Sequence, residues 1–311
     1  VLPGQADAAV LRVKGTTLGV AATVDCNSRY VRLDPRLGAA HAVAEAARNL
    51  SCVGAEPLGV TDNLNFGNPT VPAVYYQMQR AVAGISAACI ALGTPVTGGN
   101  VSLYNQFSTE AGQEAIHPTP TIGMVGVTPD VERRATMSLD RDDDVLLVVG
   151  EWAPSLGASE YLYRVHGLEA GSPPALDLEQ EADVQAVVRE LIADGTCDTA
   201  HDVSAGGLAV AVAEMAIAGG RGATLEVTDS AETRPDTLLF GESSASVILA
   251  VEPHRLDRVR ERCASSGVSA RRLGTVGGTE LRIALATGPV IAVPVERLDR
   301  AHASTFAEAL G

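Results

Sequence analysis

A dense group of potential metal ligands lies at residues 61–69, which read TDNLNFGNP. Asp62, Asn63, Asn65 and Asn68 offer carboxylate and amide oxygens, and Mg²⁺ prefers oxygen ligands of this kind. Asn and Asp also bind neighbouring backbone groups in turns and at the N-termini of helices. The residues alone therefore leave two interpretations open: a magnesium-binding segment, and a polar turn that caps the following helix.

A second polar segment, residues 97–102 (TGGNVS), follows a short apolar run. Its two adjacent glycines leave room for the backbone to approach a phosphate closely. In an extended chain Asn100 and Ser102 point to the same side, because side chains alternate along a strand with a period of two. A glycine pair is also common in ordinary turns and bulges, so a phosphate site and a turn both stay open.

The third polar segment, residues 201–207 (HDVSAGG), opens an apolar stretch that we predict to be helical. A helix N-terminus binds anions through its free N–H groups and its dipole. In the competing interpretation, Ser204 or Asp202 is simply the N-cap of that helix. A serine-hydrolase triad is excluded because no Gly-x-Ser-x-Gly motif surrounds Ser204. The sequence also lacks a Walker A and a dinucleotide-binding fingerprint.

The charge balance of the sequence argues against nucleic acid as a partner. The 311 residues include 23 Lys and Arg against 38 Asp and Glu, which gives a formal net charge of −15. A phosphate backbone needs a basic surface, so nucleic acid is not an expected partner. No apolar run approaches the ~20 residues that cross a bilayer, so no membrane association is expected either.

Cysteine usage and the N-terminus predict a cellular compartment. Five cysteines are scattered without a Cys-x-x-Cys pair, and no signal-peptide pattern opens the sequence. Both features are typical of a cytoplasmic protein with reduced thiols. The chain begins at Val1, without Met, which is typical of a fragment or a processed product.

The elements that must position the polar segments alternate between strand and helix patterns. Apolar residues recur at intervals of three and four from Val74 to Leu92, which predicts an amphipathic helix that Gly93 ends. Further helices are predicted at residues 39–53, 179–192, 206–218 and 256–264. Strands or short apolar runs are predicted at residues 10–14, 19–25, 59–64, 95–96, 121–127, 145–150, 244–251, 281–286 and 290–295.

The domain organisation follows from this pattern and from the length. Residues 128–144 are rich in Asp and Arg, include Pro129 and have little periodicity, so we interpret them as a domain junction. With a length prior of ~150 residues per domain, two domains are expected, at residues 1–131 and 132–311. Because strands and helices do not alternate strictly, the predicted fold class is α+β.

Six segments, taken in order, resemble one enzyme family. They are TDNLNFGNP at 61–69, TPVTGGNVSLYN at 94–105, PTPTIGMVG at 118–126, PALDLE at 174–179, HDVSAGGLAV at 201–210 and LFGES at 239–243. The chain resembles the C-terminal half of the synthetase subunit of phosphoribosylformylglycinamidine synthase, which is also called formylglycinamide ribonucleotide amidotransferase. The resemblance extends from residues 7–14 to about Pro294.

The resemblance implies a fold and a set of site residues. It implies an aminoimidazole-ribonucleotide-synthetase-like N-terminal α/β domain, which pairs with its counterpart into a β-barrel, followed by a larger α/β domain. The family active site lies between the two halves of the enzyme. The resemblance assigns Asp62 and Gly99 to ATP, Asn100 to Mg²⁺ and Ser102 to the ribonucleotide substrate. The family's catalytic histidine lies in the other half, so no catalytic residue is expected in this one.

The chain departs from the family's first half at two places. Residues 23–29 stand where that half has Lys-Val-Glu-Ser-His-Asn-His, and residues 242–246 stand where it has Glu-Ser-Gln-Glu-Arg. The loss of Gln, Glu and Arg removes groups that hold a phosphate and a sugar. We therefore predict that residues 201–207 and 242–246 line a degenerate second pocket, in which some family members hold a structural nucleotide. Neither His201 nor Asp202 is predicted to be catalytic.

The implied reaction is the ATP-dependent conversion of formylglycinamide ribonucleotide and glutamine-derived ammonia to formylglycinamidine ribonucleotide, through an iminophosphate. The implied cofactors are ATP and Mg²⁺. Implied partners are the missing N-terminal half, a small glutaminase subunit and a short accessory subunit, with a homodimer through the barrel-forming domain as a further option. The isolated chain is predicted to be inactive. Two alternatives stay open: a homodimeric synthetase of the aminoimidazole ribonucleotide or selenophosphate type, and a non-catalytic nucleotide-binding module.

Overall fold

A computed structural model of the chain describes residues 4–110, 112–228, 233–286 and 290–310. These residues form two sheets of five and seven strands and a separate two-stranded hairpin. Helices pack on both sheets, which confirms the predicted mixture of α and β elements. Among the described residues, no helix is both long enough and apolar enough to cross a membrane.

The first sheet is covered on one face by helices. Its strand order is β1-β2-β7-β3-β4, with β3 and β4 parallel and the other neighbours antiparallel. Numbered in chain order, the elements of this part are β1 Ala9–Arg12, β2 Gly19–Asp25, α1 Ser28–Leu33, α2 Pro35–Cys52, β3 Glu56–Asn65, α3 Pro72–Leu92, β4 Val96–Ser102, β5 Gln106–Thr109, β6 Gly112–Ala115 and β7 Thr119–Thr128.

Local chemistry explains the two long helices of this part. The Asp34 side chain caps α2 by accepting hydrogen bonds from the N–H groups of Arg36 and Leu37. Gly93 ends α3 in the left-handed conformation (φ 67°), as its position in the sequence predicts. A Cβ at Gly84 of α3 would lie 2.0 Å from the Arg36 carbonyl oxygen, so glycine is what allows α2 and α3 to pack so closely.

The other face of the first sheet is open and carries large apolar side chains. Leu11 is 71% exposed and Val24 is 69% exposed, and Val20, Leu58 and Val125 are also exposed. Their neighbours along the strands, such as Ala21 and Met124, point to the opposite side and are buried under the helices. An apolar sheet face of this kind is typical of a surface that another protein segment covers.

The second sheet is buried between helices on both faces. Its strand order is β14-β13-β10-β12-β8-β11-β9, and the neighbouring strands β8 and β11 are buried along their whole length. The elements of this part are β8 Val145–Val149, α4 Glu160–His166, α5 Leu178–Ala193, β9 Thr199–Asp202, α6 Gly207–Gly219, β10 Ala223–Val227, α7 Pro235–Phe240, β11 Val247–Val251, α8 Leu256–Ser265, β12 Ala270–Val276, β13 Glu280–Leu285, β14 Val290–Pro294 and α9 Val295–Leu310.

Several predicted boundaries need correction. Strand β3 runs on to Asn65, so the first polar segment lies mostly within a strand and not in a loop. Residues 201 and 202 end strand β9, whereas the sequence predicts only a helix for that region. Strands β10 and β12 were not predicted, because the alternating Arg, Thr and Glu side chains of these half-exposed strands hide their apolar residues. The domain boundary at 131/132 stays a prediction.

Candidate functional site

The first two polar segments lie side by side at one edge of the first sheet. In the parallel ladder of β3 and β4, Asp62 is paired with Gly99, Asn63 with Asn100, and Asn65 with Ser102. Strand β4 is the last strand of its sheet, so this ladder has a free edge. The structure therefore brings together the four residues that the resemblance assigns to ATP, Mg²⁺ and substrate.

Asp62 and Gly99 form a close contact. A Cβ added at Gly99 would lie 2.0 Å from Oδ1 of Asp62 and 2.6 Å from its carbonyl oxygen. The carboxylate thus lies directly over the glycine, on the side where α3 packs. Partial burial there raises the pKa of Asp62, and the nearby Cys89 thiol of α3 also has a raised pKa, chiefly through burial and further through the Asp62 charge. Gly99 is what leaves room for the carboxylate.

Asn100 and Ser102 lie on the opposite, open face of the same strand. The Nδ2 group of Asn100 donates a hydrogen bond to Oδ1 of Asn63 (3.2 Å), which fixes the two amides next to each other. Because both residues belong to β4, they share a face, as the spacing predicts. The assigned residues therefore lie on both faces of the sheet at its β4 edge. A ligand that contacts all of them must extend around this edge.

Asn105 positions Ser102, and the sequence interpretation did not identify it. Its side-chain amide donates to the carbonyl oxygens of Ser102 (2.8 Å) and Phe66 (3.2 Å), and so joins the ends of β4 and β3. Tyr104 between them has φ 62°, a conformation that is uncommon for a non-glycine residue. Its N–H donates to the Gly67 carbonyl oxygen (3.0 Å), which holds this turn in place. In the sequence, the only indication of this role is that an Asn follows Ser102 by three residues.

The close contact at Gly99 gives a testable prediction about stability. Gly99→Ala is expected to lower the free energy of unfolding by about 1–3 kcal/mol, because the new methyl group must displace the Asp62 carboxylate or strand β4. Urea unfolding of the chain measures this. Gly98→Ala is the matched control, since a Cβ there meets no atom within 4 Å and the change is expected to be small. Equal effects of the two variants would show that the contact does not constrain the strand.

A second cavity, of about 260 Å³, lies between the two sheets. Its lining includes residues 25–30, His41 and Glu45 of α2, and Ser204 and Ser243. The structure thus brings together the two segments that depart from the family's first half, 23–29 and 242–246, with the third polar segment, 201–207. What this cavity can bind depends on the charged groups around it.

Glu242, at the wall of this cavity, accepts hydrogen bonds from three separate segments of the chain. Its Oε1 accepts hydrogen bonds from the backbone N–H groups of Glu160 (2.8 Å) and Gly206 (2.9 Å), and its other oxygen accepts one from the Tyr30 hydroxyl. Burial raises the pKa of Glu242, while these three hydrogen bonds act in the opposite direction. Because groups of the protein itself bind both of its carboxylate oxygens, Glu242 has a structural role and holds these three segments together.

No side chain of the third polar segment caps helix α6. Helix α6 begins after Gly206, which is its N-cap and makes no side-chain capping hydrogen bond. The N-cap interpretation of Ser204 or Asp202 is therefore wrong. It failed because the segment first completes strand β9, and a left-handed glycine (φ 82°) then makes the turn into the helix.

His201 is part of a closed hydrogen-bonding arrangement. Its Nδ1 lies 2.5 Å from Oδ1 of Asp7 and its Nε2 lies 3.1 Å from Oε2 of Glu214. Burial opposes the charged ring, but the two carboxylates outweigh it and raise the pKa of His201 well above its usual value. Asp7, His201 and Asp202 offer ligand atoms within 4.8 Å of one another. Because these atoms already bind each other or Arg48, the group is best described as an ionic contact between the N-terminal segment and β9.

Two family profiles match the chain almost from end to end. The profile described as AIR synthase related protein, N-terminal domain, matches residues 5–128, and the corresponding C-terminal domain matches residues 141–285. The chain belongs to the AIR synthase related proteins. This AIR synthase related chain carries the polar segments 61–69 and 97–102 in its N-terminal domain and the segment 201–207 in its C-terminal domain.

Curated relatives of this AIR synthase related chain share one name and are much longer. Phosphoribosylformylglycinamidine synthase subunit PurL of Deinococcus radiodurans is 61% identical over 257 residues, which are 81% of this chain and 34% of the relative. The subunit PurL of Moorella thermoacetica is 56% identical over 88% of this chain and 37% of the relative. These matches confirm the resemblance that the motifs indicate. The chain spans only about a third to two fifths of the relatives' length.

Solved structures confirm the predicted fold class. Thermotoga maritima PurL complexed with FGAR is 20% identical, with a TM-score of 0.78, over 96% of this chain and 48% of that one. A shorter protein, tt0281 from Thermus thermophilus, is 19% identical with a TM-score of 0.63, over 91% of this chain and 90% of that one. At these identities the likeness concerns the fold of the AIR synthase related proteins alone.

Proposed function

We propose that this chain is one half of an ATP-dependent synthetase that converts formylglycinamide ribonucleotide and ammonia to formylglycinamidine ribonucleotide. The observation that carries the proposal is the grouping of Asp62, Gly99, Asn100 and Ser102 at the free edge of the first sheet. The similarity to PurL subunits supplies the reaction. ATP binding is supported by the fold likeness to Thermotoga maritima PurL complexed with ATP.

The chemistry of each side chain limits its role in this half-site. A carboxylate accepts hydrogen bonds and repels phosphate, so Asp62 is suited to the hydroxyl or amino groups of the nucleoside part of ATP. Gly99 keeps the edge strand narrow and lets the nucleotide approach the backbone. Ser102, which Asn105 holds in place, both donates and accepts, and we assign it to orienting the ribonucleotide substrate.

Asn100 fits the role of a magnesium ligand. Its Nδ2 donates to Asn63, which leaves its amide oxygen as a neutral ligand for a hard cation. Mg²⁺ usually takes one or two protein oxygens and completes its octahedron with phosphates and water, so a single ligand from this half is sufficient. When bound, the ion neutralises charge on the transferred phosphate. The residues of this chain bind and orient, and the proton-transferring groups belong to the missing half.

The open face of the first sheet supports the proposed pairing with the missing half. Leu11, Val24 and Leu58 belong to an exposed apolar surface that extends across the open face from β1 to β3, and a second sheet laid on this surface would close a barrel. The relatives' greater length supports the presence of such a segment in the whole enzyme. A glutaminase and a short accessory subunit as the ammonia source, and a cytoplasmic location, remain part of the proposal.

The pairing face gives a prediction about association. Val24→Glu is expected to weaken binding of the chain to the N-terminal half at least about 100-fold, since it places a charge in an apolar interface. Stability of the isolated chain is expected to change little, because Val24 is exposed there. Titration calorimetry between the two halves measures the affinity. Ile90→Glu is the control: Ile90 is 82% exposed on α3, on the other side of the sheet, and its replacement should leave the affinity unchanged.

A homodimeric synthetase is the second candidate, because the fold likeness to tt0281 over 90% of that protein's length indicates that a chain of this size can carry the whole fold. In a homodimer, residues 23–29 would have to supply the groups that act on substrate. ATP hydrolysis by the isolated chain, with and without the ribonucleotide, separates the two candidates. We expect no substrate-dependent hydrolysis by the chain alone; clear turnover by a symmetric dimer would overturn the half-enzyme proposal.

A further inference from the structure

A fully buried guanidinium lies behind the wall of the second cavity. The Arg48 side chain of α2 is 1% exposed. Its Nε donates to Oε1 of Glu181 (2.7 Å) and its Nη1 donates to Oδ2 of Asp202 (2.8 Å). Two further carboxyl groups, Asp25 and Glu45, lie close enough to interact with the Arg48 charge. One permanent cation is therefore placed at the centre of four acidic side chains.

Both oxygens of each carboxylate that contacts Arg48 already accept hydrogen bonds from the protein itself. Oε2 of Glu181 accepts the backbone N–H of Ala245 (2.8 Å), and Oε1 accepts the Gln185 amide (3.0 Å). Oδ1 of Asp202 accepts the Ser204 hydroxyl (3.3 Å), while Oδ2 faces Arg48. A guanidinium stays charged at every accessible pH and binds carboxylates through a rigid fork. Arg48 thus places a permanent positive charge against both carboxylates.

The cavity wall is unsuited to a nucleotide's phosphates. Asp25, Glu45 and Glu160 line it with carboxyl groups. Among the described lining residues Arg29 is the only Arg or Lys, and it is already paired with Glu160. Burial lowers the pKa of His41, which keeps this ring neutral near pH 7. The described lining therefore offers phosphates no unpaired positive charge, so a nucleotide could bind only with metal ions held by these same carboxyl groups.

We propose that the Arg48 guanidinium takes the place of a metal ion at the second cavity. The cavity then binds neither Mg²⁺ nor a magnesium–nucleotide complex. The structural nucleotide that the resemblance implies for this pocket therefore does not fit the residues of this chain. The inference is independent of the proposed reaction, which concerns the β3–β4 edge.

The charges of the remaining acids agree with a metal-free centre. Burial is the largest cause that raises the pKa of Asp25, to about 7, and it also raises the pKa of Glu45 well above its usual value. Both groups can therefore hold protons near neutral pH. Arg48 and these protons together remove most of the negative charge of the four acids without an external cation.

The test compares metal-dependent stability in variants of the chain. All of them carry Asp62→Ala, which removes the proposed catalytic nucleotide contact, so that failure here is separate from failure of the proposed function. The first protein keeps Arg48, the second carries Arg48→Met, and the third carries Arg189→Met. Arg189 is the matched control, because it is a half-buried arginine that pairs with Glu56 away from the cavity. Thermal unfolding is measured in EDTA, in 10 mM Mg²⁺, and in Mg²⁺ with ADP.

The protein with Arg48 is expected to unfold at the same temperature in all three buffers. Arg48→Met is expected to unfold at a lower temperature in EDTA and to regain several degrees with Mg²⁺, in a saturable manner, because the vacated carboxylates then bind the ion. Arg189→Met is expected to lose stability without any response to Mg²⁺. A saturable Mg²⁺ or Mg²⁺–ADP response with Arg48 present would overturn the proposal. So would an Arg48→Met chain that Mg²⁺ does not stabilise, or that fails to fold in all three buffers.

Discussion

Replacing Asp62 with Ala in the assembled synthetase is expected to raise KM for ATP roughly 100-fold, with a smaller change in kcat. The carboxylate lies over Gly99 at the free edge of β4, where it is positioned to accept hydrogen bonds from the nucleoside part of ATP. A contact to this non-reacting part stabilises the ground state and the transition state equally, so its loss raises KM and changes kcat little. Steady-state kinetics with varied ATP measures the effect.

Two further variants sharpen this measurement. Asp257→Ala is the control, because the Asp257 side chain is fully exposed (100%) on α8 and its loss should leave both constants unchanged. Gly99→Ala combined with Asp62→Ala should cost less than the sum of the two single variants, since the clash of the methyl group with the carboxylate is removed while that with the Asp62 carbonyl oxygen remains. An Asp62→Ala enzyme with KM for ATP within twofold of the parent would remove Asp62 from the nucleotide site.

Removal of the main partner of Arg48 is expected to have the largest effect on stability. Glu181→Ala should lower the free energy of unfolding by about 3–5 kcal/mol, because it leaves a buried guanidinium without its two-point contact. It also removes the acceptor of the buried Ala245 N–H. Urea unfolding followed by far-ultraviolet circular dichroism measures the change.

The control for this prediction lies on the same helix. Glu179→Ala in the first turn of α5 changes an exposed carboxylate and should stay within about 0.5 kcal/mol of the parent. Glu181→Gln should be intermediate, since the amide keeps an acceptor for Ala245 but loses the negative charge. A Glu181→Ala chain as stable as the Glu179→Ala chain would mean that the buried ion pair contributes nothing to the fold.

Helices α2, α3, α5, α6 and α8 and the buried strands β8 and β11 could be predicted because each has a strong local signal. The intervals of three and four before Gly93 define α3, and the apolar run at β8 defines a buried strand. Strand β9 carries no such signal, because its four residues Thr199–Asp202 are short and half polar. It becomes a strand through pairing with β11, a contact that only the tertiary structure provides.

The candidate site was predictable only in part, for a physical reason. Polar segments 61–69 and 97–102 were identifiable by their composition, but their contact depends on the register that pairs Asp62 with Gly99. Arg48 gave no signal, since an arginine on an alanine-rich helix is usually exposed. Its partners lie 133 and 154 residues away in sequence, on α5 and β9, and they become neighbours only when the two sheets pack together.

The most direct measurement is complementation in trans. The chain and a separately produced N-terminal half of a PurL relative are mixed, and ATP hydrolysis that depends on both formylglycinamide ribonucleotide and ammonia is followed. We expect no such hydrolysis with either half alone, and clear activity from a one-to-one complex that Asp62→Ala reduces. Full activity of this chain by itself, or a stable complex that remains inactive with both substrates, would contradict the proposed function.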